Sequence, residues 1–116
     1  IPVPLHPRRL RERGFNQSAL IAEKIAELTA QPIIENIIKR KNYRRPQMEI
    51  KNRAARIKNA QNIFEPVQNV QNPILHNKTV LIVDDVATTG ATLKECARVL
   101  KNSGASKVLS FTLAQD

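Results

Sequence analysis

Two adjacent carboxylates precede a short loop of threonines and small residues in the second half of the chain. Asp84 and Asp85 follow a run of four apolar residues, and the loop reaches Gly90 at the predicted start of a helix. Ligands of open α/β sheets bind at the carboxyl ends of strands, which is where this pattern places the two aspartates. Backbone N–H groups at a helix N-terminus bind anions. The pattern therefore predicts a site for a ligand that carries both hydroxyls and phosphate, such as a ribose phosphate.

The residues around Gly90 support the same interpretation. The hydroxyls of Thr88, Thr89 and Thr92 add hydrogen-bond donors, and Gly90 has no Cβ to obstruct a phosphate. The glycine-rich motifs G-x-x-x-x-G-K-[ST] and G-x-G-x-x-G, which bind phosphates in other folds, are absent from the chain. The alternative is that residues 80–92 form only a strand, a turn and a capped helix, with both aspartates solvated.

The elements that must position these residues are predicted from hydrophobic periodicity and capping residues. Helices are predicted over 17–29, with Asn16 as the N-cap, over 47–60 and over 90–102. Strands are predicted over 33–40, 79–84 and 106–113, with a short strand at 63–64 and the end of another at the chain start. The charged residues 8–14 are predicted to form a loop. The alternation of predicted strands and helices along the chain predicts an α/β fold with a mainly parallel, twisted sheet and flanking helices.

The charge of the chain is concentrated in its first half. The 116 residues form one predicted domain with a net charge of +9. Residues 1–58 contain 14 Lys and Arg against 5 Asp and Glu, whereas residues 59–116 contain 5 of each. This one-sided charge favours an anionic partner such as nucleic acid, anionic lipid or a polyphosphate metabolite. A basic surface without a partner is the alternative. A long basic insert over residues 41–62 is typical of a mobile functional loop.

The composition excludes several other classes of protein. No apolar run is long enough to cross a bilayer, and no segment is predicted to be a signal peptide. The single cysteine, Cys96, excludes an internal disulfide and is predicted to lie in the core. One cysteine with two histidines is too few for a structural zinc site. A reducing, cytoplasmic location is therefore predicted.

Two segments of the chain resemble a known family. Residues 80–92, VLIVDDVATTGAT, resemble the 5-phosphoribosyl 1-pyrophosphate (PRPP) signature of type I phosphoribosyltransferases. Together with residues 3–17, VPLHPRRLRERGFNQ, they resemble the ComF/GntX branch, the competence-associated phosphoribosyltransferase-like proteins. The resemblance implies a type I phosphoribosyltransferase-like fold with a long basic flexible loop. Members of that branch usually begin with a Cys-rich zinc-binding module, so we expect that module and an upstream strand and helix to be missing, and any zinc to belong to that module.

The resemblance also implies roles for individual residues. Asp84 and Asp85 would hold the ribose hydroxyls and, with Arg13, form the catalytic set. The 5′-phosphate would be bound by Val86, Ala87, Thr88, Thr89, Gly90, Ala91 and Thr92. The pyrophosphate, with Mg²⁺ carried by PRPP and no direct protein ligand, would be bound by Leu5, His6, Arg13 and Gly14, with Arg8, Arg9 and Arg11 as lesser candidates. The flexible loop over PRPP would contribute Arg40, Gln47, Arg56 and Asn59.

Two functions follow from this resemblance. The first is a transferase that displaces pyrophosphate from PRPP with a nitrogen nucleophile. The second is a non-catalytic PRPP-sensing or single-stranded DNA-binding protein that acts in DNA uptake during natural transformation. Its DNA contacts would come from Arg53, Arg56 and Lys58, and its further partners would be other competence proteins. The acceptor of the transferase and the oligomeric state, a homodimer included, are left open.

Overall fold

The computed structural model describes residues 1–41, 54, 62–68, 71–87 and 89–115. Its helices are α1 (Pro7–Arg13), α2 (Gln17–Thr29) and α3 (Ala91–Asn102). Its strands are β1 (Ile38–Arg40), β2 (Phe64–Pro66), β3 (Thr79–Ala87) and β4 (Lys107–Gln115). Of the predicted helix over 47–60, only Ala54 is among the described residues, and it is helical. None of the helices in the described ranges combines the length and the apolar character that crossing a membrane needs.

The parallel sheet is built around β3. On one side β3 pairs in parallel with β4, in a register that sets Thr79 opposite Lys107. On its other side it pairs in parallel with the first residues of the chain: Val3 N donates to Val83 O at 2.9 Å, and Val83 N donates to Ile1 O at 2.9 Å. A strand with neighbours on both sides is usually buried on both faces, which explains its continuous apolar run. The predicted parallel sheet and the strand at the chain start are confirmed.

Strands β1 and β2 form a separate antiparallel pair. Ile38 lies opposite Pro66, and Arg40 lies opposite Phe64. The strand predicted over 33–40 is wrong in its first half, because regular pairing begins only at Ile38. Asn36 has a positive φ of 62°, which interrupts an extended strand just before that point.

The core lies between the sheet, α3 and the β1–β2 pair. Helix α3 buries Cys96, Val99 and Leu100 on one side, as its periodicity predicts. The buried residues that share this core are Val3, Ile37, Ile38, Ile63, Phe64, Leu75, Val80, Ile82 and Ala105. Cys96 is fully buried, which confirms its predicted place in the core. This packing holds the carboxyl end of β3 and the N-terminus of α3 side by side.

The loop predicted over residues 8–14 is wrong, since this stretch forms helix α1. His6 is the N-cap, and its Nδ1 accepts a hydrogen bond from Arg8 N at 3.1 Å. Pro7 occupies the first turn, where its missing N–H costs nothing. Gly14 ends the helix with a φ of 86°, and its N–H donates to Leu10 O at 2.7 Å. The density of charge suggested a loop, whereas the capping residues specify a short helix.

Candidate functional site

Asp84 and Asp85 lie in the carboxyl-terminal half of β3, which continues to Ala87, three residues beyond the predicted end of the strand. In each aspartate, one carboxylate oxygen accepts a hydrogen bond from the backbone N–H of the next residue. Asp85 N donates to Oδ1 of Asp84 at 2.9 Å, and Val86 N donates to Oδ1 of Asp85 at 2.8 Å. Both residues are partly buried. In both residues the backbone N–H bonds to Oδ1 rather than to Oδ2. Each carboxylate is therefore oriented by its own backbone and retains a second oxygen for a ligand.

Asp84 also accepts a hydrogen bond from a side chain of α2. The hydroxyl of Ser18 on α2 donates to Oδ1 of Asp84 at 2.9 Å. Burial raises the pKa of Asp84 from 3.8 to about 6, and the hydrogen bonds from Ser18 and from the backbone of Asp85 oppose that rise. A buried carboxyl with a raised pKa beside a second acid is typical of functional sites.

Arg13 reaches the acid pair from the last turn of α1. Its Nη2 lies 3.9 Å from Oδ2 of Asp85, an ion pair too long for a hydrogen bond. Its guanidinium also lies 5.4 Å from the ring centroid of Phe15, which is 43% exposed. Because this ion pair is long and both partners are partly exposed, an anionic ligand could compete for Arg13. The structure therefore places the predicted cation beside the predicted acids.

The N-terminus of α3 follows the acid pair directly. Gly90 is its N-cap, with a φ of 80° that disfavours other residues. Apart from Gly90 and its two chain neighbours, no atom of the described residues lies within 4 Å of the position where a Cβ would be. No side chain caps α3 from the N-cap position, and its first turn contains no acidic residue. Thr89 Oγ1 accepts a hydrogen bond from Ala91 N at 3.1 Å. The helix therefore presents partial positive charge to open space over Gly90.

Arg40 does not belong to the flexible loop, where the resemblance put it, because it is the last residue of β1. Its Nε donates to Pro4 O at 3.3 Å, and its guanidinium lies 5.3 Å from the ring centroid of Phe64. Burial lowers the pKa of Arg40, and the negative charge of Asp84 opposes that effect. Arg40 is thus a fixed cation within the electrostatic reach of Asp84.

The other predicted pyrophosphate residues have local roles in the fold. His6 and Gly14 are the two caps of α1. Leu5 lines a hollow of about 210 Å³ between the first residues of the chain, α1, α2 and residues 35–38. Their predicted contacts with pyrophosphate stay predictions. Several further candidates lie outside the described residues: Gln47, Arg53, Arg56, Lys58, Asn59 and Thr88.

The two ends of the basic insert are anchored close to α3. Lys41 N donates to Ile63 O at 2.8 Å, which closes the base of the insert. Asn62 N donates to Oε1 of Glu95 on α3 at 3.0 Å, and the same carboxylate accepts two hydrogen bonds from Arg98. The insert therefore starts and ends beside the helix whose N-terminus borders the site.

Three residues of this region were not identified from the sequence. Ser18 and Glu95 contact partners far away in the chain, so no local pattern marks them. Phe15 is part of the RGFNQ segment that carried the resemblance, but its exposure and its contact with Arg13 are visible only in the structure. The predicted Asn16 cap places Ser18 in the first turn of α2 but gives no sign of its contact with Asp84.

The described residues offer a metal ion no complete protein cage. Among them, no three His, Cys, Asp or Glu side chains converge to hold one. Magnesium usually keeps few protein ligands and shares its coordination with substrate phosphates. The expectation that Mg²⁺ is carried on the phosphate oxygens of PRPP stays a prediction.

The chain is similar to known proteins along almost all of its length. The phosphoribosyl transferase domain family matches residues 50–116. Competence protein F of Haemophilus influenzae is 33% identical over 99% of this chain and 49% of its own length, and Competence protein ComFC of Bacillus subtilis is 32% identical over 97% and 42%. The DNA utilization protein YhgH of Salmonella typhi is 35% identical over 99% and 48%. The chain thus spans about half the length of the curated relatives it matches. No solved structure matches it.

Proposed function

The chain belongs to the phosphoribosyl transferase domain family, and from this premise we propose that it binds PRPP with Mg²⁺ at the carboxyl end of β3. The predicted resemblance to the competence-associated branch is confirmed by relatives named for competence and DNA utilization. The observation that carries the proposal is the acid pair, in which a backbone N–H holds one oxygen of each carboxylate, next to the open N-terminus of α3 and an arginine. Each part matches one chemical group of PRPP.

The acid pair would bind the ribose. Each Oδ1 is already occupied by a backbone N–H, so each Oδ2 can accept a hydrogen bond from a ribose hydroxyl. A carboxylate is a stronger acceptor for a hydroxyl than a neutral oxygen is. Two carboxylates beside the ribose would also favour the positive charge that develops on the sugar ring as the bond at C1 breaks.

The N-terminus of α3 would bind the 5′-phosphate. The open space over Gly90 admits a phosphate, and the partial positive charge of the helix stabilises it. Thr89 currently accepts the Ala91 N–H, so its hydroxyl would have to reorient if a phosphate took that donor. The rest of the phosphate contacts would come from the other predicted residues between Val86 and Thr92, which include the last residues of β3 and the first of α3.

Arg13 would bind the pyrophosphate group. Its weak pairing with Asp85 leaves the guanidinium available to an anion, and its position in the last turn of α1 sets it beside the acid pair. In the transfer reaction a nitrogen nucleophile would form a bond to C1 while the C1–O bond to pyrophosphate breaks, and the nucleophile would lose its proton. Mg²⁺ bound to pyrophosphate supplies charge neutralisation for the leaving group. Arg13 would add a second positive charge there.

Calorimetry with PRPP and Mg²⁺ tests the binding proposal. Wild-type protein should release or absorb heat at a single site, and the double variant Asp84→Asn with Asp85→Asn should lose binding by about a hundredfold or more, since two charged hydrogen bonds are weakened. The matched control is Glu23→Gln with Glu27→Gln, which neutralises two exposed carboxylates on α2. Absence of binding by the wild type, or equal binding by the double variant, would reject the proposal.

Pyrophosphate release then separates transfer from binding alone. A panel of nitrogen nucleophiles is offered with PRPP and Mg²⁺, and release above the rate of hydrolysis identifies a transferase. Binding without release favours the PRPP-sensing alternative. In either case the cellular role that we propose is in DNA uptake, because the relatives carry the names Competence protein F and DNA utilization protein.

Direct binding of single-stranded DNA is the second candidate function, and the charge of α1 favours it. Arginines occupy four of its seven positions, three of them exposed and Arg9 partly buried, with Glu12 as its single acidic residue. Binding through phosphates should weaken steeply as salt is added. Neutralising Arg53, Arg56 and Lys58 should lower the affinity measured by fluorescence anisotropy, and unchanged affinity would remove these three residues from the interface.

A further inference from the structure

Ser18 contacts the acid pair from α2, a helix separated from it by most of the chain. It is 4% exposed and lies in the first turn of α2. Its Oγ donates to Oδ1 of Asp84 at 2.9 Å, across 66 positions of sequence. A side-chain hydrogen bond with Asp85 raises the pKa of Asp84, whereas the hydrogen bond from Ser18 lowers it.

The position of Ser18 is itself held by the fold. Oδ1 of Asn16 accepts a hydrogen bond from Ser18 N at 3.0 Å, and Nδ2 of Asn16 donates to Val3 O at 3.1 Å. Val3 N in turn donates to Val83 O on β3 at 2.9 Å. Hydrogen bonds therefore connect the strand to α2 and back to the carboxylate. A hydroxyl fixed by such supports is pre-organised for one orientation.

We propose that Ser18 is a positioning residue of the PRPP site, which holds Oδ1 of Asp84, keeps this carboxylate ionised and leaves its Oδ2 for the ribose. This inference rests on the proposed function. A hydrogen bond donated to a carboxylate stabilises the ionised form. Burial acts in the opposite direction and raises the pKa of Asp84 to about 6. Ser18 is thus the side chain that limits the effect of burial.

Other charged groups act on Asp84 without holding its Oδ1. Asp85 raises the pKa of Asp84 through its negative charge. Arg40 on β1 and the Cys96 thiol on α3 interact electrostatically with it, and Arg13 on α1 pairs with Asp85. These groups lie on other elements and stay in place when Ser18 is replaced, so the effect of the replacement can be assigned to the lost hydroxyl.

The substitution Ser18→Ala removes this hydroxyl with little effect on the helix. Alanine favours helices, and it keeps the backbone N–H that Asn16 accepts. The ionisation of Asp84 is followed by carbon NMR of its side-chain carboxyl from about pH 4 to about pH 9. The midpoint should rise by about one pH unit, the value of one hydrogen bond to a charged group. An unchanged midpoint would overturn the proposal, and Ser18→Thr, which retains a hydroxyl, should restore the wild-type midpoint.

Binding of PRPP with Mg²⁺ gives a second readout. If the midpoint rises by one unit, Ser18→Ala loses about threefold more affinity at about pH 6.5 than at about pH 8.5. An equal loss at both pH values would mean that the hydroxyl only supports the structure. The matched control is Ser103→Ala, because Ser103 is 1% exposed and its hydroxyl donates to Val99 O at 2.9 Å at the far end of α3. This control should leave both readouts unchanged.

The two proposals fail in different ways. Wild-type protein that does not bind PRPP refutes the proposed function, and the NMR midpoint alone then decides whether Ser18 controls the charge of Asp84. Wild-type protein that binds PRPP, with an unshifted midpoint in Ser18→Ala, preserves the proposed function and refutes the role of Ser18.

Discussion

Replacing Asp84 by asparagine should stabilise the folded protein at neutral pH, although it removes a proposed ligand contact. Burial raises the pKa of Asp84 from 3.8 to about 6. Between these values the native state retains a proton that the unfolded chain has lost. Because the native state binds more protons there, the free energy of unfolding falls as the pH rises through this range.

The size of the effect follows from the two pKa values of Asp84. They differ by about two units, and each unit corresponds to about 1.4 kcal/mol, so ionising Asp84 costs the folded state about 3 kcal/mol once the pH exceeds 6. The Asp84→Asn variant lacks this titration, whereas all other groups titrate in both proteins. Its stability relative to wild type should therefore rise by about 2–3 kcal/mol between about pH 4 and about pH 7.5.

Urea denaturation of both proteins at the two pH values measures this difference directly. Glu27→Gln is the control, since the Glu27 side chain is 73% exposed and its removal should change stability by no more than about 0.5 kcal/mol. A stability difference between Asp84→Asn and wild type that is the same at both pH values would refute the reasoning, because it would mean that folding does not desolvate Asp84. The expected result would also show that the acid pair is kept at a cost in stability, as functional sites often are.

Three further outcomes are expected from the described contacts. Glu95→Gln weakens the hydrogen bonds that Asn62 and Arg98 donate, so urea denaturation at neutral pH should show that the free energy of unfolding falls by about 1–2 kcal/mol. Because the Arg98 hydrogen bond lowers the pKa of Glu95, this difference from wild type should shrink as the pH falls below 4.5. A difference that grows there would contradict the prediction. Gly90→Ala strains a residue with a φ of 80°, which should lower stability by only about 1 kcal/mol. The new methyl group enters the open space at the N-terminus of α3, so calorimetry should show at least about tenfold weaker PRPP binding. Unchanged affinity would show that the 5′-phosphate does not bind there. Burial raises the pKa of the Cys96 thiol to about 12, so a thiol reagent should label it at mildly alkaline pH only after unfolding, and rapid labelling of the native protein would show that it is accessible.

Local signals in the sequence were enough to predict most elements around the site. The Asn16 cap and the periodicity after it predicted α2 with its observed bounds, and the apolar run before Asp84 predicted β3. Such signals lie within about a dozen residues and act through backbone hydrogen bonds and burial of one face. Helix α1 shows the limit of this reasoning, since seven residues rich in arginine have no apolar face and only the caps His6 and Gly14 specify the helix.

The residue types of the candidate site were determined by the sequence alone: two acids at a strand end, a glycine at a helix start and an arginine near the chain start. Their environment was decided by tertiary structure. Ser18 meets Asp84 across 66 positions, and Arg40 meets Pro4 across 36. A carboxyl group has the same chemistry in any sequence, but its pKa and its free oxygen depend on which distant groups exclude water from it and which donors reach it. Those neighbours exist only once the strand, the first helices and the β1–β2 pair have packed together.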